Sequence, residues 1–336
     1  MRTRLWLLMS LSALVAASTA AAAKDAVVMH IVHTAPLDHQ ITLALHAFAL
    51  DVEERTKGDV VVDVITKPRN PDPPISPPHF IEAVAKGTVE AACMPNFLWT
   101  KDIPQLDFSM VPFLFTGLDQ MRAFPGSRAA RSIEKDINRH GVKTLAWLDV
   151  TRLTLMTSSN NAIVAPADFR GRHIRVLDEF SKRPFEQLGA TPEMLEASEV
   201  HRAIEAGKLD SVMTDISSAI GLKLYEVQKY ATVTPYFSAF YHLYVNPAWL
   251  ARLSPADRTA VEAAGKQLEK TAVTITEAKA AASLDILRAQ GVALHIQTPD
   301  ERKQWQDAMQ GPALAAFKAL SPAASGIVSQ LPVAKP

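Results

Sequence analysis

The sequence of 336 residues has a single cysteine, carries no net charge and has no long apolar run beyond its first 23 residues. The one thiol, Cys93, cannot form a disulfide within the chain, and its apolar neighbours predict that it is buried. The balance of 35 Lys and Arg against 35 Asp and Glu leaves no basic excess for a phosphate backbone, which argues against a nucleic acid partner. With 48% hydrophobic and 21% charged residues, the composition excludes a disordered chain and a multispanning membrane protein.

The familiar sequence signatures of catalysis are also missing. The chain has no G-x-S-x-G elbow, no glycine-rich phosphate loop and no H-E-x-x-H zinc helix. His30 and His33 lie three residues apart in a predicted strand, so their side chains point to opposite faces and make a poor metal site. Glu199 and His201 are two residues apart at a predicted helix start and cannot face each other. We therefore predict that the protein is not an enzyme and that it has no cofactor and no metal ligands of its own, while metal-assisted binding of a ligand stays open.

The first 23 residues have the order of a secretory leader. Arg2 and Arg4 precede an apolar stretch over 5–17, and a run of small residues over 18–23 follows it. The apolar stretch is shorter than the roughly 20 residues that span a bilayer, so a cleaved signal peptide over 1–23 is favoured over an uncleaved anchor. Cleavage leaves 33 positive against 35 negative side chains and places the mature protein outside the cytoplasm.

Beyond the leader, the hydrophobic pattern changes repeatedly between helix and strand periods. Apolar residues at Ile41, Leu45, Phe48 and Val52 have helical spacing, whereas 59–65 is β-branched and alternating. This alternation recurs along the chain, and the length suits about two domains of ordinary size. The sequence therefore predicts a two-domain α/β fold with parallel sheets and helices on their faces.

Four further stretches have a clear local meaning. The stretch 67–78 contains six prolines and must be a loop, and 216–230 is predicted as one helix. A helix capped by Ser254, with Pro255 at its first position, should continue to Gln290. At 1.5 Å per residue it would be on the order of 50 Å long, so it should bridge the two domains. A final helix near Pro299 is predicted to precede a Pro/Ala/Ser tail.

One predicted strand carries the residue with the clearest chemical meaning. A single helical turn over 166–171, closed by glycine, leads into the strand that holds His173, Ile174 and Arg175. If Ile174 faces the core, Arg175 lies on the opposite face at the carboxyl end of the strand, where open α/β sheets hold their ligands. Its guanidinium can donate two parallel hydrogen bonds to a carboxylate. The spacing alone supports a surface salt bridge equally well.

These residues resemble the extracytoplasmic substrate-binding proteins of TRAP transporters, the DctP-like family of periplasmic carriers for organic acids. The family's arginine-bearing strand and its Pro-x-Asp-hydrophobic-x-Gly-x-x-Ile-Arg-Val stretch are matched by Arg152 and by 166–176. A Leu-Gly-Ala-x-Pro element follows at 188–192. The family pattern Glu-Val-Tyr-x-Ala-Leu-x-x-Gly-x-x-Asp-Gly is matched at 199–211, with histidine and serine in place of the tyrosine and the last glycine.

The resemblance extends over roughly residues 28–298 and implies both a fold and a site. The implied fold is a two-domain periplasmic binding protein with a hinge and a long interdomain helix. Domain I is expected over 24–149 plus about 237–275, and domain II over 150–236 plus about 276–325. In the implied site, Arg175 pairs with the substrate carboxylate and Arg152 assists. The other implied ligand contacts are Thr214, which replaces an asparagine of many members, and Asn96, His33, Trp147 and Phe237.

The resemblance also implies a function. The protein is expected to capture a small organic carboxylate in the periplasm and to deliver it to the membrane permease subunits of a TRAP-type secondary transporter, acting as a monomer without nucleic acid. Two alternatives remain open at this stage. One is a secreted enzyme acting on an organic acid, for which His173 or Glu199 would have to serve as the base. The other is a ligand-sensing module that reports to a membrane receptor.

Overall fold

A computed structural model describes residues 25–65, 75–115, 117–151 and 153–332. The predicted signal peptide, most of the proline-rich stretch and Arg152 lie outside the described residues. The strands are β1 Val27–His33, β2 Val60–Ile65, β3 Ala91–Pro95, β4 Lys143–Thr151, β5 Thr154–Ser158, β6 His173–Val176, β7 Thr191–Met194, β8 Ser211–Asp215, β9 Tyr230–Thr234, β10 Ala239–Val245 and β11 Ala293–Ile296. The helices are α1 Gln40–Thr56, α2 Phe80–Lys86, α3 Leu118–Ala123, α4 Arg128–Asn138, α5 Lys182–Gln187, α6 Ala197–Glu205, α7 Ile216–Gly221, α8 Leu224–Val227, α9 Pro247–Arg252, α10 Pro255–Ala289, α11 Pro299–Leu320 and α12 Pro322–Gln330.

The strands form two sheets, each covered by helices. The first sheet has the order β2-β1-β3-β10-β4, and the second has the order β11-β9-β5-β8-β6-β7. Both sheets are mixed, which corrects the expectation of parallel sheets. In the first, β10 runs antiparallel to β3 and β4, and in the second, β5 runs antiparallel to β8 and β9. Both β5 and β10 follow directly from a strand of the other sheet, without an intervening helix. Each therefore runs antiparallel to its neighbours in the sheet.

The long helix α10 was predicted correctly, together with its cap. The Ser254 side chain accepts a hydrogen bond from the Asp257 backbone N–H at 3.1 Å, and Pro255 takes the first helical position. On the side of the first sheet, the helix packs against α1 and β4. On the side of the second sheet, it packs against α7 and β11. It therefore spans both layers of the molecule, as its length predicts.

Two local predictions were wrong. The stretch predicted as one helix over 216–230 divides into α7 and α8, because Lys223 adopts a left-handed conformation with φ 53° and ends the first helix. Tyr230 then begins β9 rather than ending a helix. The predicted tail contains α12, which Ser321 caps and which buries Ala324 and Ile327. Proline acts there as the first residue of a helix rather than as a breaker.

Two short connections of the chain join the two sheets. The chain passes from the first sheet to the second between β4 and β5 and returns between β9 and β10. The connection between β9 and β10 also contacts the 3₁₀ segment Pro104–Met110 and the residues that follow it. The Ser238 backbone N–H donates to the Ser109 carbonyl, and the Phe113 backbone N–H donates to the Tyr236 carbonyl. These connections hold together the two layers that flank the candidate site.

Candidate functional site

Arg175 lies on β6 with its side chain buried. Ile174 and Val176 on the other face are fully buried, and Arg175 is 7% exposed. The Arg175 Nε and Nη2 atoms each donate to the Leu195 carbonyl oxygen at 3.2 Å, and Nη1 lies 3.5 Å from the Met213 carbonyl oxygen. Backbone acceptors therefore fix the guanidinium, and the predicted surface salt bridge is not formed with any described residue.

The guanidinium carries a buried charge without a direct counter-ion. Among the described residues, no carboxylate oxygen lies within 4.0 Å of Arg175. Burial lowers the pKa of Arg175 to about 10, while the charges of Glu196 and Asp215 act in the opposite direction. The side chain thus remains a cation at neutral pH. A buried cation of this kind is stabilised strongly by a paired, hydrogen-bonded anion, which makes the position suitable for a ligand carboxylate.

The first sheet presents an imidazole at the end of β1. His33 is 5% exposed, and neither of its ring nitrogens has a hydrogen-bond partner among the described residues. Burial, together with His39 and His46, lowers the pKa of His33 to about 4. The ring is therefore neutral at neutral pH, with one nitrogen able to donate a hydrogen bond and the other able to accept one. Buried polar atoms without partners commonly mark a place for water or a ligand.

His39 and Tyr241 extend this wall of polar groups. His39 precedes α1 and its Nδ1 accepts a hydrogen bond from the Ile41 backbone N–H at 3.3 Å. Its ring centroid lies 5.8 Å from that of Tyr241, whose hydroxyl oxygen accepts from the Thr34 Oγ1 at 3.4 Å. Burial lowers the pKa of His39 and raises the pKa of Tyr241, so both rings are neutral at neutral pH.

Asp215 connects the two walls of the gap. It ends β8 and caps α7, since its Oδ1 accepts hydrogen bonds from the backbone N–H groups of Ser217 at 2.9 Å and Ser218 at 3.0 Å. Its charge acts on Arg175 of the second sheet and also on His39 and Tyr241 of the first. Because the charge of one carboxylate acts on all of them, we treat Arg175, His39 and Tyr241 as members of one candidate site.

Thr214 lies on the same face of the second sheet as Arg175. Arg175 on β6 lies opposite Val212 on β8, and Thr214 follows two residues later on the same face of the sheet. Thr214 is 1% exposed. Arg152, the other arginine implied by the resemblance, lies outside the described residues.

Asn96 is fully buried and its amide is engaged within the first layer. Its Nδ2 donates to the Leu106 carbonyl at 2.7 Å and to the Ser109 hydroxyl at 2.8 Å, and its Oδ1 accepts from the Phe240 backbone N–H at 3.1 Å. These bonds connect the segment Pro104–Met110 to β10. The contacts of Asn96 are thus structural, and the structure does not bring its amide together with the Arg175 side chain.

Trp147 and Phe237 are also packed away from Arg175. The Trp147 indole stacks on His242 with centroids 3.8 Å apart, and its Nε1 donates to Glu134 at 2.8 Å. Phe237 is 2% exposed and lies in the connection between β9 and β10, within the main apolar core. Both rings serve the core and the connection between the sheets.

A separate cavity of about 430 Å³ lies beside β4, away from Arg175. The residues around it come from α10, from β4 and from the end of α3, and they include Trp147, Glu269 and Lys270. Glu269 accepts a hydrogen bond from the Trp147 backbone N–H at 3.1 Å, and burial raises its pKa to about 7. None of the buried polar groups of the interdomain site lines this cavity. Size alone therefore does not identify the ligand site.

Sequence reasoning missed three members of the site. Asp215 before Ile-Ser-Ser has the sequence signal of a helix cap, but nothing in the sequence places it near Arg175. His39 and Tyr241 are 202 residues apart in the numbering and are joined only by the fold. Their contribution depends on tertiary contacts that periodicity does not encode.

The described residues contain no cluster of three or more His, Cys, Asp or Glu side chains arranged to hold a metal ion. None of the helices within the described ranges combines the length and the apolar character needed to cross a bilayer.

Comparison with known proteins is consistent with this architecture. The family described as bacterial extracellular solute-binding protein, family 7 (DctP), matches residues 31–318. A solute-binding protein of Verminephrobacter eiseniae is 28% identical over 272 residues, which cover 78% of this chain and 77% of the relative. The C4-dicarboxylate-binding periplasmic protein DctP of Rhodobacter capsulatus is 27% identical over 236 residues, or 68% of this chain and 69% of that one.

Solved structures show the same fold. A TRAP periplasmic solute-binding protein from Sulfitobacter sp. NAS-14.1, with bound β-D-galacturonate, superposes with a TM-score of 0.81 at 20% identity, covering 90% of this chain and 99% of that one. Another from Pseudomonas aeruginosa PAO1, with bound L-malate, has a TM-score of 0.77 at 23% identity and covers 87% of this chain and 100% of that one. The two-domain fold implied by the sequence resemblance is therefore confirmed.

Proposed function

Because this chain belongs to the bacterial extracellular solute-binding proteins of family 7, we propose that it captures a small organic carboxylate in the periplasm and delivers it to the membrane subunits of a TRAP-type transporter. The leader over 1–23 would direct export and then be cleaved. The mature protein would act as a monomer, with domains bounded as the sequence resemblance implies. The proposal includes no turnover, so the acid is released unchanged.

The observation that carries this proposal is the buried, unpaired guanidinium of Arg175. It lies at the carboxyl end of β6 and is held by backbone oxygens rather than by a carboxylate of the described residues. A carboxylate ligand would supply the missing charge and accept two parallel hydrogen bonds. Relatives with solved structures hold acids, including β-D-galacturonate and L-malate, which supports the same chemistry here.

Binding would then proceed by closure of the two layers on the acid. Arg175 and Thr214 of the second layer would hold the carboxylate, with Arg152 assisting, and His33 of the first layer would bind another polar group of the ligand. Closure is a hinge motion about the connections between the sheets, and the permease would recognise the closed form. Asn96, Trp147 and Phe237 would support the walls through their packing.

A thermal-shift screen over organic acids tests the proposal, followed by calorimetry on the acid that gives the largest shift. An acid at 100 times its Kd should add about 2.7 kcal/mol of stability. We expect Arg175→Gln to abolish binding and Arg175→Lys to weaken it at least about tenfold, because a point charge replaces a planar fork. As a control, Arg252→Lys changes an exposed arginine on α9 and should leave the Kd unchanged.

Wild-type affinity in both Arg175 variants would contradict the proposed role of this residue. Failure of every carboxylate to stabilise the wild-type protein would contradict the proposed function itself.

A further inference from the structure

The exposed side of the helix α4 carries charge of one sign. The exposed charged residues of α4 and its C-cap are all cations and together form a basic face, which consists of Arg128, Arg131, Lys135 and Arg139. Their positions fall within roughly a quarter of the helix circumference, because about 3.6 residues make one turn. The opposite side of the helix holds its buried apolar residues, which are Ala129, Ala130, Ile133 and Ile137.

The two acidic residues of α4 are engaged within the first layer and are only partly exposed. The Glu134 Oε1 accepts a hydrogen bond from the Trp147 Nε1 at 2.8 Å. Asp136 accepts from the Gln105 side-chain amide and pairs with Arg139. The other three members of the basic face form no ion pair with any described residue. Their charges are therefore available to a partner outside the chain.

The segments next to α4 add little negative charge to the basic face. The helix α12 packs against α4 and contains no charged residue. The strand β4 also packs against α4, and its one acid, Asp149, is buried near the far end of the strand. Outside the described ranges, the sequence has a single acidic residue, Asp72, whereas Lys335 follows α12.

The cationic surface continues from α4 towards α10. The Arg131 Nη1 donates to the Gly126 carbonyl at 2.6 Å, and Gly126 borders the cavity beside β4. Lys266 and Lys270 border the same cavity and are exposed. Among the described residues of this lining, the one exposed acid is Glu277, which forms an ion pair with the arginine of α3.

This separation of charge does not follow from the composition of the chain. The 35 Lys and Arg residues are balanced by 35 Asp and Glu residues. Other helices expose both signs on one side, as α6 does with Glu199, Arg202 and Glu205. A basic, amphipathic helix is typical of contact with a membrane surface.

The chemistry of the basic face fits a lipid surface better than a protein. Protein interfaces are centred on apolar or aromatic anchors, and none of the exposed large hydrophobic residues of the described chain lies on α4. Lysine and arginine on flexible stems match the phosphates of mobile lipid headgroups. Because the apolar side of α4 is buried in the fold, the contact would depend on charge alone, without insertion into the bilayer.

We propose that the basic face of α4 docks the mature protein on a membrane surface rich in anionic phospholipids. Each Lys or Arg near such a surface raises the partition of a protein by about fivefold, so the four cations together give on the order of several hundredfold at low salt. This attachment is reversible and concentrates the protein at the membrane. The inference goes beyond the proposed function and does not depend on it, because Arg175 and Thr214 lie on the second sheet.

Co-sedimentation of the mature protein, beginning at Lys24, with lipid vesicles tests the inference. One set of vesicles contains phosphatidylglycerol and phosphatidylcholine in equal parts, and the other contains phosphatidylcholine alone. At about 20 mM salt, the wild-type protein should partition at least about tenfold more strongly onto the anionic vesicles. Raising the salt to about 300 mM should remove most of this difference, because exposed charges are then screened over a shorter distance.

The variant Arg128→Gln/Arg131→Gln/Lys135→Gln removes most of the basic face and keeps good helix formers. Its partition onto the anionic vesicles should fall at least about tenfold, while its Kd for an organic acid should not change. Lys135→Glu is the second variant, in case the triple variant does not fold, and should weaken partition by at least about threefold.

A matched control removes the same number and types of exposed cations elsewhere. The variant Arg202→Gln/Lys208→Gln/Arg252→Gln changes residues on or next to α6 and on α9, and it should reduce partition by less than about threefold. Equal losses in this control and in the triple variant of α4 would overturn the proposal, since net charge rather than the basic face would then drive binding.

Two further results would also overturn the proposal. Equal partition onto both kinds of vesicle at low salt would show that charge does not direct the contact. Absence of binding to the anionic vesicles would assign the basic face to a protein partner instead of to lipid. Neither result bears on carboxylate binding, which the thermal-shift screen measures separately.

Discussion

At the residue scale, the candidate site is defined by buried polar groups that lack a counter-ion or a hydrogen-bond partner among the described residues. The guanidinium of Arg175 lacks a direct counter-ion within the described chain, and both ring nitrogens of His33 lack partners. Leaving such groups buried and unpaired costs free energy, so their presence in one gap favours a ligand that satisfies them. Function and stability are coupled here through the same side chains.

Two buried acids, Asp107 and Asp178, predict a pH effect on stability. Asp107 is 7% exposed, and its Oδ1 has no partner among the described residues. Burial, reinforced by Asp178, raises the pKa of Asp107 to about 8. A carboxyl with a raised folded pKa contributes stability that is present below its unfolded pKa of about 3.8 and is lost as the pH rises through 8.

Asp107→Asn should therefore stabilise the protein at pH 8 by at least about 1 kcal/mol, and the gain should shrink as the pH falls towards 4. The asparagine cannot ionise, so it avoids the cost of a buried charge. Urea unfolding at several pH values measures this, with the exposed change Asp285→Asn as the control. A constant or reversed difference between pH 4 and 8 would contradict the assigned environment of Asp107.

The position of Arg175 on β6 was predictable because it follows from the local strand pattern, whereas its role as a ligand contact stays a prediction. A strand period placed Ile174 and Arg175 on opposite faces, and the structure confirms this separation. The roles of Asp215 and His39 were not predictable in the same way, because their proximity arises from elements on different sheets. Asn96 shows the converse, since a position suggested by resemblance proved to hold a structural hydrogen-bond network.

At the element scale, α10 binds the two layers together and depends on one glycine. A Cβ added at Gly265 would lie 2.7 Å from the Leu145 carbonyl oxygen and 2.9 Å from the Leu145 Cγ. The helix therefore approaches β4 too closely for any side chain at this position. From sequence alone, Gly265 was only a weak point in a long helix.

Gly265→Ala should lower the free energy of unfolding by about 1–3 kcal/mol, because helix and strand must separate to admit the methyl group. Gly326→Ala in α12 is the matched control, since its added Cβ would meet only the flexible end of Gln330 at 3.5 Å. That change should be neutral or stabilising by up to about 1 kcal/mol. Equal stability of the two alanine variants would show that the contact between α10 and β4 can relax freely.

Element boundaries followed from local signals where those signals were strong. The helical period of α1, the cap of α10 and the strand period of β6 were predictable, whereas the break between α7 and α8 depends on a lysine in a left-handed conformation. The antiparallel placement of β5 and β10 is set by where the chain passes between the sheets. Such crossings are global features, and short-range periodicity does not report them.

At the scale of the whole molecule, two mixed sheets flank a candidate site that contains the buried cation of Arg175 and the neutral rings of His33, His39 and Tyr241. The connections after β4 and β9 and the long helix α10 join the layers. A cavity of about 430 Å³ beside β4 lies elsewhere, so the candidate site is assigned from its buried polar groups rather than from cavity volume. This arrangement suits a protein that encloses a small acid and later releases it.

The most direct measurement is a crystal structure of the protein with the organic acid that binds most tightly. We predict that two guanidinium nitrogens of Arg175 lie about 2.7–3.2 Å from the two oxygens of the acid's carboxylate, in the gap between the sheets. An acid bound instead in the cavity beside β4, with Arg175 still held by the Leu195 and Met213 carbonyls and no carboxylate, would contradict the account.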